Sequence, residues 1–141
     1  LAHIRRQRFG GFTRCLFREQ RFDSDAERRF AMILEDDQDG TLKWFKPALG
    51  DVRIWLPGGQ QYNPDFVVET ASEKLLVEPK ADNEVESADV KAKADAAVQW
   101  CAHASQWEAA HGGKPWAYLL LPESAITANA TLQGLRAAHS I

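Results

Sequence analysis

Two apolar segments of strand length lie close together in the middle of the chain, from Phe66 to Glu69 and from Lys74 to Glu78. The turn between them runs through Thr70 and Glu73 and is too short for the crossover that joins parallel strands. The two segments are therefore predicted to pair directly as antiparallel neighbours, and this hairpin limits how the rest of the chain can be arranged.

Charged residues flank these two strands at one end of the predicted hairpin. Asp65 comes just before the first strand, and Glu78 and Lys80 lie at the end of the second. Since side chains alternate across a strand, Glu78 and Lys80 project from one face with Pro79 opposite. Pairing then brings Asp65 beside them. Burying such groups is costly unless they pair or bind a cation, so we predict that two carboxylates and an ammonium converge there.

Two carboxylates at this spacing suit Mg²⁺, a hard cation that binds a few protein oxygens and keeps several waters. Asp65 and Glu78 are the predicted ligands, and Pro79, which has no N–H to donate, keeps a carbonyl that can reach a metal and suggests a strand-end or edge position. Lys80 is predicted to orient an attacking water. The other interpretation is purely structural: Asp65 ends a Pro-Asp turn, and Glu78 and Lys80 form a surface pair.

The remaining periodicities predict a mixed-sheet α/β or α+β domain. Ser24, with Glu27 three residues later, has the pattern of a capping box that opens a helix. The other predicted elements are strands at 42–46 and 52–56 forming a hairpin or meander, a long alanine-rich helix at 88–110, a central buried strand at 116–121 and a short helix at 131–137.

The length of 141 residues fits one core and not two, and the first residue, Leu1, suggests a fragment of a longer protein. No segment has the roughly 20 apolar residues needed to cross a bilayer, which predicts a soluble domain without membrane partners. Cys15 and Cys101 are isolated in sequence, which suits a reducing cytoplasm and not a zinc site.

The net charge of −3 is unevenly distributed. Residues 1–29 contain eight arginines and four acids, a net +4, so the rest of the chain carries −7. We divide the chain into an Arg-rich arm or linker at 1–21 and a single domain at 22–141. Phenylalanines interleave the arginines, and the segment is either a DNA contact, with Arg5, Arg6, Arg8 and Arg14 on phosphates, or a solvated linker or docking arm.

Pro64-Asp65 followed by Glu78-Pro79-Lys80 resembles the two-part motif of the PD-(D/E)xK nuclease superfamily. Its flanks are similar to the C-terminal endonuclease domain of the Res subunit of type III restriction enzymes over about residues 12 to 135. The flanking segments that carry this similarity are Phe22-Asp23-Ser24 with Glu27, Trp44-Phe45, Tyr62-Asn63-Pro64-Asp65-Phe66, and Lys91-Ala92 onward to Trp100.

The resemblance implies a restriction-endonuclease-like fold, a mixed central sheet of four to five strands flanked by helices. It also implies Mg²⁺-dependent cleavage of double-stranded DNA, with Mn²⁺ as a substitute, in a cytoplasmic restriction and defence system. A helicase motor on the same polypeptide and a methyltransferase subunit that supplies specificity are the implied partners. Relatives often place a helical acid near the metal, which makes Glu27 a further candidate alongside its capping role.

The sequence departs from the family at one point, since such domains often have Glu-Thr-Lys-Gly where this chain has Glu78-Pro79-Lys80-Ala81. The metal and lysine positions remain, but the backbone path there is open. Gly112-Gly113-Lys114 is followed by Pro115 where a phosphate-binding loop needs Ser or Thr, so we expect no ATP site and a helix-to-strand loop instead. The alternative function is a non-catalytic DNA-binding or partner-docking module that retains the nuclease fold.

Overall fold

The structure, a computed structural model, describes residues 3–37 and 40–141. Its main helices are α1 (Asp25–Asp36), α2 (Ala88–His111) and α3 (Leu132–His139). The strands, in chain order, are β1 (Phe9–Gly10), β2 (Glu19–Gln20), β3 (Thr41–Phe45), β4 (Ile54–Trp55), β5 (Gln61–Tyr62), β6 (Phe66–Thr70), β7 (Lys74–Lys80) and β8 (Trp116–Pro122). Two single 3₁₀ turns, Ile4–Arg6 and Glu123–Ala125, complete the elements.

The central sheet has four strands in the order β3-β6-β7-β8. β6 pairs with β7 antiparallel, with Phe66 opposite Val77, and this confirms the predicted hairpin. β3 is also antiparallel to β6, whereas β7 and β8 are parallel and are joined through α2. The mixed α+β architecture predicted from the sequence is thus confirmed, and it is the restriction-endonuclease-like arrangement.

Side chains of the sheet alternate between two apolar layers. Phe66, Val68 and Val77 pack on the side that includes residues of α1 and α3. Val67 and Leu76 pack on the other side, against Ala94 and Ala97 of α2, whose small side chains let the helix approach closely. The sheet is therefore enclosed between helices on both faces, and the polar ends of its strands form the openings.

Each main helix begins at a side-chain cap, and the cap of α1 is the one that the sequence predicts. Ser24 accepts a hydrogen bond from the Glu27 backbone N–H at 3.2 Å and starts α1, while Ser87 and Thr131 cap α2 and α3 in the same way. α2 ends at Gly112, whose φ of 75° is a left-handed conformation that glycine adopts without a steric cost. The Gly112-Gly113-Lys114 segment is thus a helix-to-strand loop, as expected.

Two predictions about strand neighbours are wrong. β8 is not central: it is an edge strand of the sheet, and its Tyr118 and Leu119 are buried because helices cover both its faces. An apolar run in the sequence indicates that a strand is buried, but it does not indicate the position of that strand in the sheet. The segments at 42–46 and 52–56 do not pair with each other either, because β3 joins β6 and the short β4 pairs with β5.

The N-terminal segment packs on the domain through its aromatic residues. Phe9 and Phe12 lie with their ring centroids 5.6 Å and 6.2 Å from that of the fully buried Phe22. Phe12 also lies edge-on to Trp44. Phe9, Phe12 and Phe22 therefore contribute to the core, whereas Phe17 is exposed, and the domain boundary after residue 21 stays a prediction.

No helix within residues 3–37 and 40–141 is both long and apolar enough to span a bilayer. Cys15 and Cys101 are free thiols, the second of them buried.

Glu35 near the end of α1 fastens the N-terminal segment to the sheet. Its carboxylate accepts hydrogen bonds from the backbone N–H groups of Thr13 and Arg14 at 2.6 Å and 3.0 Å, and from the Trp44 indole at 2.8 Å. Burial raises the pKa of Glu35, but the hydrogen bonds outweigh it, and the net pKa is lowered.

We expect Glu35→Gln to lower the free energy of unfolding by about 2 kcal/mol at pH 7, since a hydrogen bond to a charged group contributes about 1.5 to 3 kcal/mol. A lowered pKa in the folded state stabilises the fold above the ordinary value of 4.5, and this stabilisation is lost as the pH falls through the folded-state value. The difference from wild type in urea unfolding should therefore shrink below pH 4.5. Asp36→Asn, at an exposed neighbouring carboxylate, is the control and should change stability by less than about 0.5 kcal/mol.

Candidate active site

The register of β6 and β7 brings together the residues predicted for the site. The last backbone pair is Phe66 with Val77, so Asp65 and Glu78 come immediately beyond it on the two strands. The end of β7, from Glu78 to Lys80, continues alongside β8 alone. The strands separate at this point, and a pocket opens where the ladder stops.

Glu78 is 5% exposed, and its two carboxylate oxygens have different surroundings. Oε2 accepts a hydrogen bond from the Asp65 backbone N–H at 3.1 Å and another from the Tyr62 hydroxyl at 2.9 Å. Oε1 lies 3.7 Å from the Lys80 ammonium, too far for a tight hydrogen bond. The protein thus holds one oxygen, while the other remains beside Lys80.

Glu27 reaches the same place from the first turn of α1 and is also 5% exposed. Asp23, Glu27 and Asp65 each offer a carboxylate oxygen, and these atoms all lie within 4.8 Å of one another. Among the described residues, this group that could hold a metal ion includes Glu27 and Asp23 but not Glu78. Glu27, the secondary candidate from the sequence, thus lies close enough to Asp65 for both carboxylates to contact one cation.

Lys46, directly after β3, was not predicted as a site residue. Its ammonium forms an ion pair with Oε1 of Glu27 and lies 5.1 Å from the centroid of the Phe66 ring. The Asp23 backbone N–H donates to the same Glu27 oxygen at 3.3 Å. Glu27 resembles Glu78 in this respect, because the protein occupies one oxygen of each carboxylate.

The crowding of these acids changes their protonation. Burial, followed by the negative charges of Glu78 and Glu27, raises the pKa of Asp65 to about 8. Burial also raises the pKa of Glu78, despite its hydrogen bonds from Tyr62 and Asp65 and the nearby charge of Lys80. Shifts in this direction mean that Lys46 and Lys80 do not fully compensate the carboxylates, so the site favours additional positive charge.

A pocket of about 300 Å³ gives access to this cluster. It is lined mainly by charged groups from the N-terminal segment, α1 and the ends of β6 and β7, including Arg5, Asp23, Glu27, Asp65, Glu78, Pro79, Lys80 and Glu84. The predicted site residues Asp65, Glu78, Pro79, Lys80 and Glu27 all face one opening, which suits a polar, charged substrate.

The four candidate DNA-contacting arginines have different positions. Arg5 lines the pocket, where its Nε donates to the Asp23 carbonyl at 3.0 Å. Arg6 is exposed, Arg8 is an exposed partner of Glu19 at 3.8 Å, and Arg14 donates to the carbonyl of Thr41. The structure therefore brings only Arg5 of these four to the pocket, and Arg14 is engaged within the fold.

Tyr62 and Tyr118 form a buried polar pair behind Glu78. Their hydroxyl oxygens are 3.0 Å apart, and the two residues are 4% and 1% exposed. Burial, together with the charge of Glu78, raises the pKa of both, so both hydroxyls stay protonated. In the sequence, Tyr62 appears only within the flanking similarity; the available signal for the pair was Tyr118, a polar tip on the otherwise apolar strand β8.

Acids and a lysine at the strand ends of a mixed sheet, with a further acid from a flanking helix, define a restriction-endonuclease-like domain. A family model described as an endonuclease domain matches residues 13–109, and the chain belongs to this family. The domain is therefore a nuclease domain. No curated protein sequence matches the chain.

The Lys46–Glu27 pair provides a test of whether the two buried charges stabilise each other in the folded protein. We expect Lys46→Met to lower the free energy of unfolding by about 3 kcal/mol, because removing one partner leaves the other carboxylate buried and unpaired. The double variant Glu27→Gln/Lys46→Met should recover most of this loss in urea unfolding. Lys93→Met, which removes an ion pair with the exposed Asp89, is the control and should cost less than about 1 kcal/mol. Losses that simply add in the double variant would show that Lys46 and Glu27 are not coupled.

Proposed function

We propose that this domain is a Mg²⁺-dependent endodeoxyribonuclease of the PD-(D/E)xK type. The observation that carries the proposal is the convergence of Glu27, Asp65, Glu78 and Lys80 on one pocket. Membership of the endonuclease domain family supports the reaction class. Hydrolysis of a DNA phosphodiester requires a bound water, a positively charged environment for the phosphate, and a group that orients the water, and these residues are suited to each task.

The donor set fits a hard divalent cation. Its ligands are carboxylate oxygens, and the raised pKa values of Asp65 and Glu78 show that the buried acids lack sufficient positive charge. Asp65, Glu78 and the Pro79 carbonyl would hold Mg²⁺, or Mn²⁺ in its place, and Glu27 would provide a further ligand. When bound, the cation lowers the pKa of water and offsets charge that builds on the phosphate.

Lys80 is the residue proposed to act on the water. Its side chain is 26% exposed and lies 3.7 Å from Glu78 Oε1, so the ammonium is near the carboxylates without being tightly bound to either oxygen. It can therefore donate to a water placed beside Glu78 and hold that water in line with a phosphate. The Asp65 carboxylate would accept a hydrogen bond from the same water. Because Asp65 is charged when a cation is bound nearby, it would favour the deprotonated form of that water.

We also propose that this domain is the cleavage module of a type III restriction enzyme, fed by a helicase motor on the same polypeptide and a methyltransferase partner that recognises sequence. This context rests on the similarity of the flanking segments around Phe22, Trp44 and Tyr62. Double-stranded DNA in a cytoplasmic defence system is the corresponding substrate.

The catalytic assignment predicts the effect of single substitutions. Asp65→Asn and Lys80→Ala should each reduce nicking of supercoiled plasmid by at least about 100-fold in Mg²⁺ or Mn²⁺, since a positioned acid–base group contributes about 10² to 10⁴ in rate. Lys91→Ala removes an exposed lysine of α2 outside the pocket and serves as the control with wild-type activity. Equal nicking by all four proteins would refute the site. DNA binding without cation uptake or cleavage would instead support the non-catalytic module.

Arg5 is the arginine that we propose to contact a phosphate next to the cleaved bond. Its Nε is held by the Asp23 carbonyl, which leaves the two terminal nitrogens for substrate. Arg5→Ala should weaken DNA binding similarly for all sequences and reduce the slope of log K against log salt by about one. Fluorescence anisotropy with Ca²⁺, which supports binding without turnover, measures this slope. An unchanged slope, equal to that of Lys91→Ala, would exclude a phosphate contact.

A further inference from the structure

Among the described residues, the hydroxyl of Tyr62 is the only side-chain group that donates to Oε2 of Glu78, and it lies at 2.9 Å. Tyr62 itself does not line the pocket. It ends β5, next to the segment that leads through Asn63 and Pro64 to Asp65. Its ring is packed in the apolar layer with Leu76 and Val90. Its position is thus fixed by the core and not by the substrate.

The direction of the hydrogen bonds follows from the number of protons. An ionised carboxylate only accepts, so the Tyr62 hydroxyl uses its one proton on Glu78. At 3.0 Å, the Tyr118 hydroxyl must then donate to the Tyr62 oxygen. The result is a buried chain from Tyr118 through Tyr62 to Glu78, in which each bond polarises the next.

These contacts limit what Glu78 can offer. Oε2 already accepts two hydrogen bonds, one from Tyr62 and one from the Asp65 backbone. Oε1 lies 3.7 Å from the ammonium of Lys80, which like Glu78 lines the pocket. A carboxylate held in this way presents one oxygen in a fixed orientation.

We propose that Tyr62, supported by Tyr118, is a positioning residue that holds Oε2 of Glu78 and so restricts Glu78 to binding a divalent cation through Oε1 alone. This inference rests on the proposed function of the pocket as a cation-dependent nuclease site. A group that orients a metal ligand typically changes metal affinity or activity by about 10- to 100-fold when removed.

The test compares the full chain with Tyr62→Phe and Tyr118→Phe, which keep both rings. Mn²⁺ binding is measured by titration calorimetry without DNA, and urea unfolding reports stability separately. We expect Tyr62→Phe to weaken Mn²⁺ binding about tenfold. Tyr118→Phe should weaken it about threefold, because the direct bond to Glu78 remains while its polarising partner is lost.

DNA affinity without metal distinguishes positioning from a general structural role. It should stay within about twofold of wild type in both variants, while kcat falls for Tyr62→Phe and KM for DNA changes little. Mn²⁺ affinity of Tyr62→Phe within twofold of wild type overturns the inference and leaves the proposed function intact. A wild-type chain that binds no Mn²⁺ overturns both.

If Tyr62→Phe has no cooperative unfolding transition, Tyr118→Phe carries the comparison. An unchanged Mn²⁺ affinity in that variant then overturns the inference, and a weakened affinity with normal unfolding supports it.

Discussion

The pairing register of β6 and β7 is the constraint on which the site depends. With Phe66 opposite Val77, Glu78 and Lys80 project from the same face of β7 as Leu76, and Asp65 falls beside Glu78. A shift by one residue would turn both charged side chains to the opposite face and place apolar ones in the pocket. Both faces of the two strands are buried, so a shift would exchange the side chains of the two apolar layers and disrupt the packing of both. The hydrophobic layers therefore determine the position of the polar residues.

The same core sets the energetic character of the site. Glu27 and Glu78 are each 5% exposed, and the cost of burying them is reduced by hydrogen bonds to one oxygen of each and by the nearby Lys46 and Lys80. The compensation is incomplete, as the raised pKa of Asp65 shows. Under the proposed function, a site in this state is stable enough to fold and still attracts a cation. Full compensation by further lysines would stabilise the fold and remove that attraction.

Local patterns in the sequence were sufficient for the hairpin, the cap of α1 and the shared face of Glu78 and Lys80. They were insufficient for Lys46, whose position depends on which strand β3 joins. In the observed register Phe45 lies opposite Val67, which brings the next residue, Lys46, to the start of β6 beside Asp65. Because the 42–46 segment was predicted to pair with the 52–56 segment, the position of Lys46 beside Asp65 was not predicted. Tyr62 was hidden for a similar reason, because its partners come from β7 and β8, and contacts distant in sequence leave no periodic signal.

The carboxylate of Glu78 also ends the backbone ladder between β6 and β7. The Asp65 N–H follows the last pair of the two strands and bonds to the Glu78 side chain. The fork, the place where β6 and β7 separate, is thus held open by one of the acids that line the pocket. A loss of activity in Glu78→Ala would combine two effects. The substitution would remove a proposed metal ligand, and it would allow β6 and β7 to form one more backbone pair. Glu78→Gln retains an acceptor oxygen for the Asp65 N–H, so it tests the loss of the carboxylate without the additional pairing of the strands.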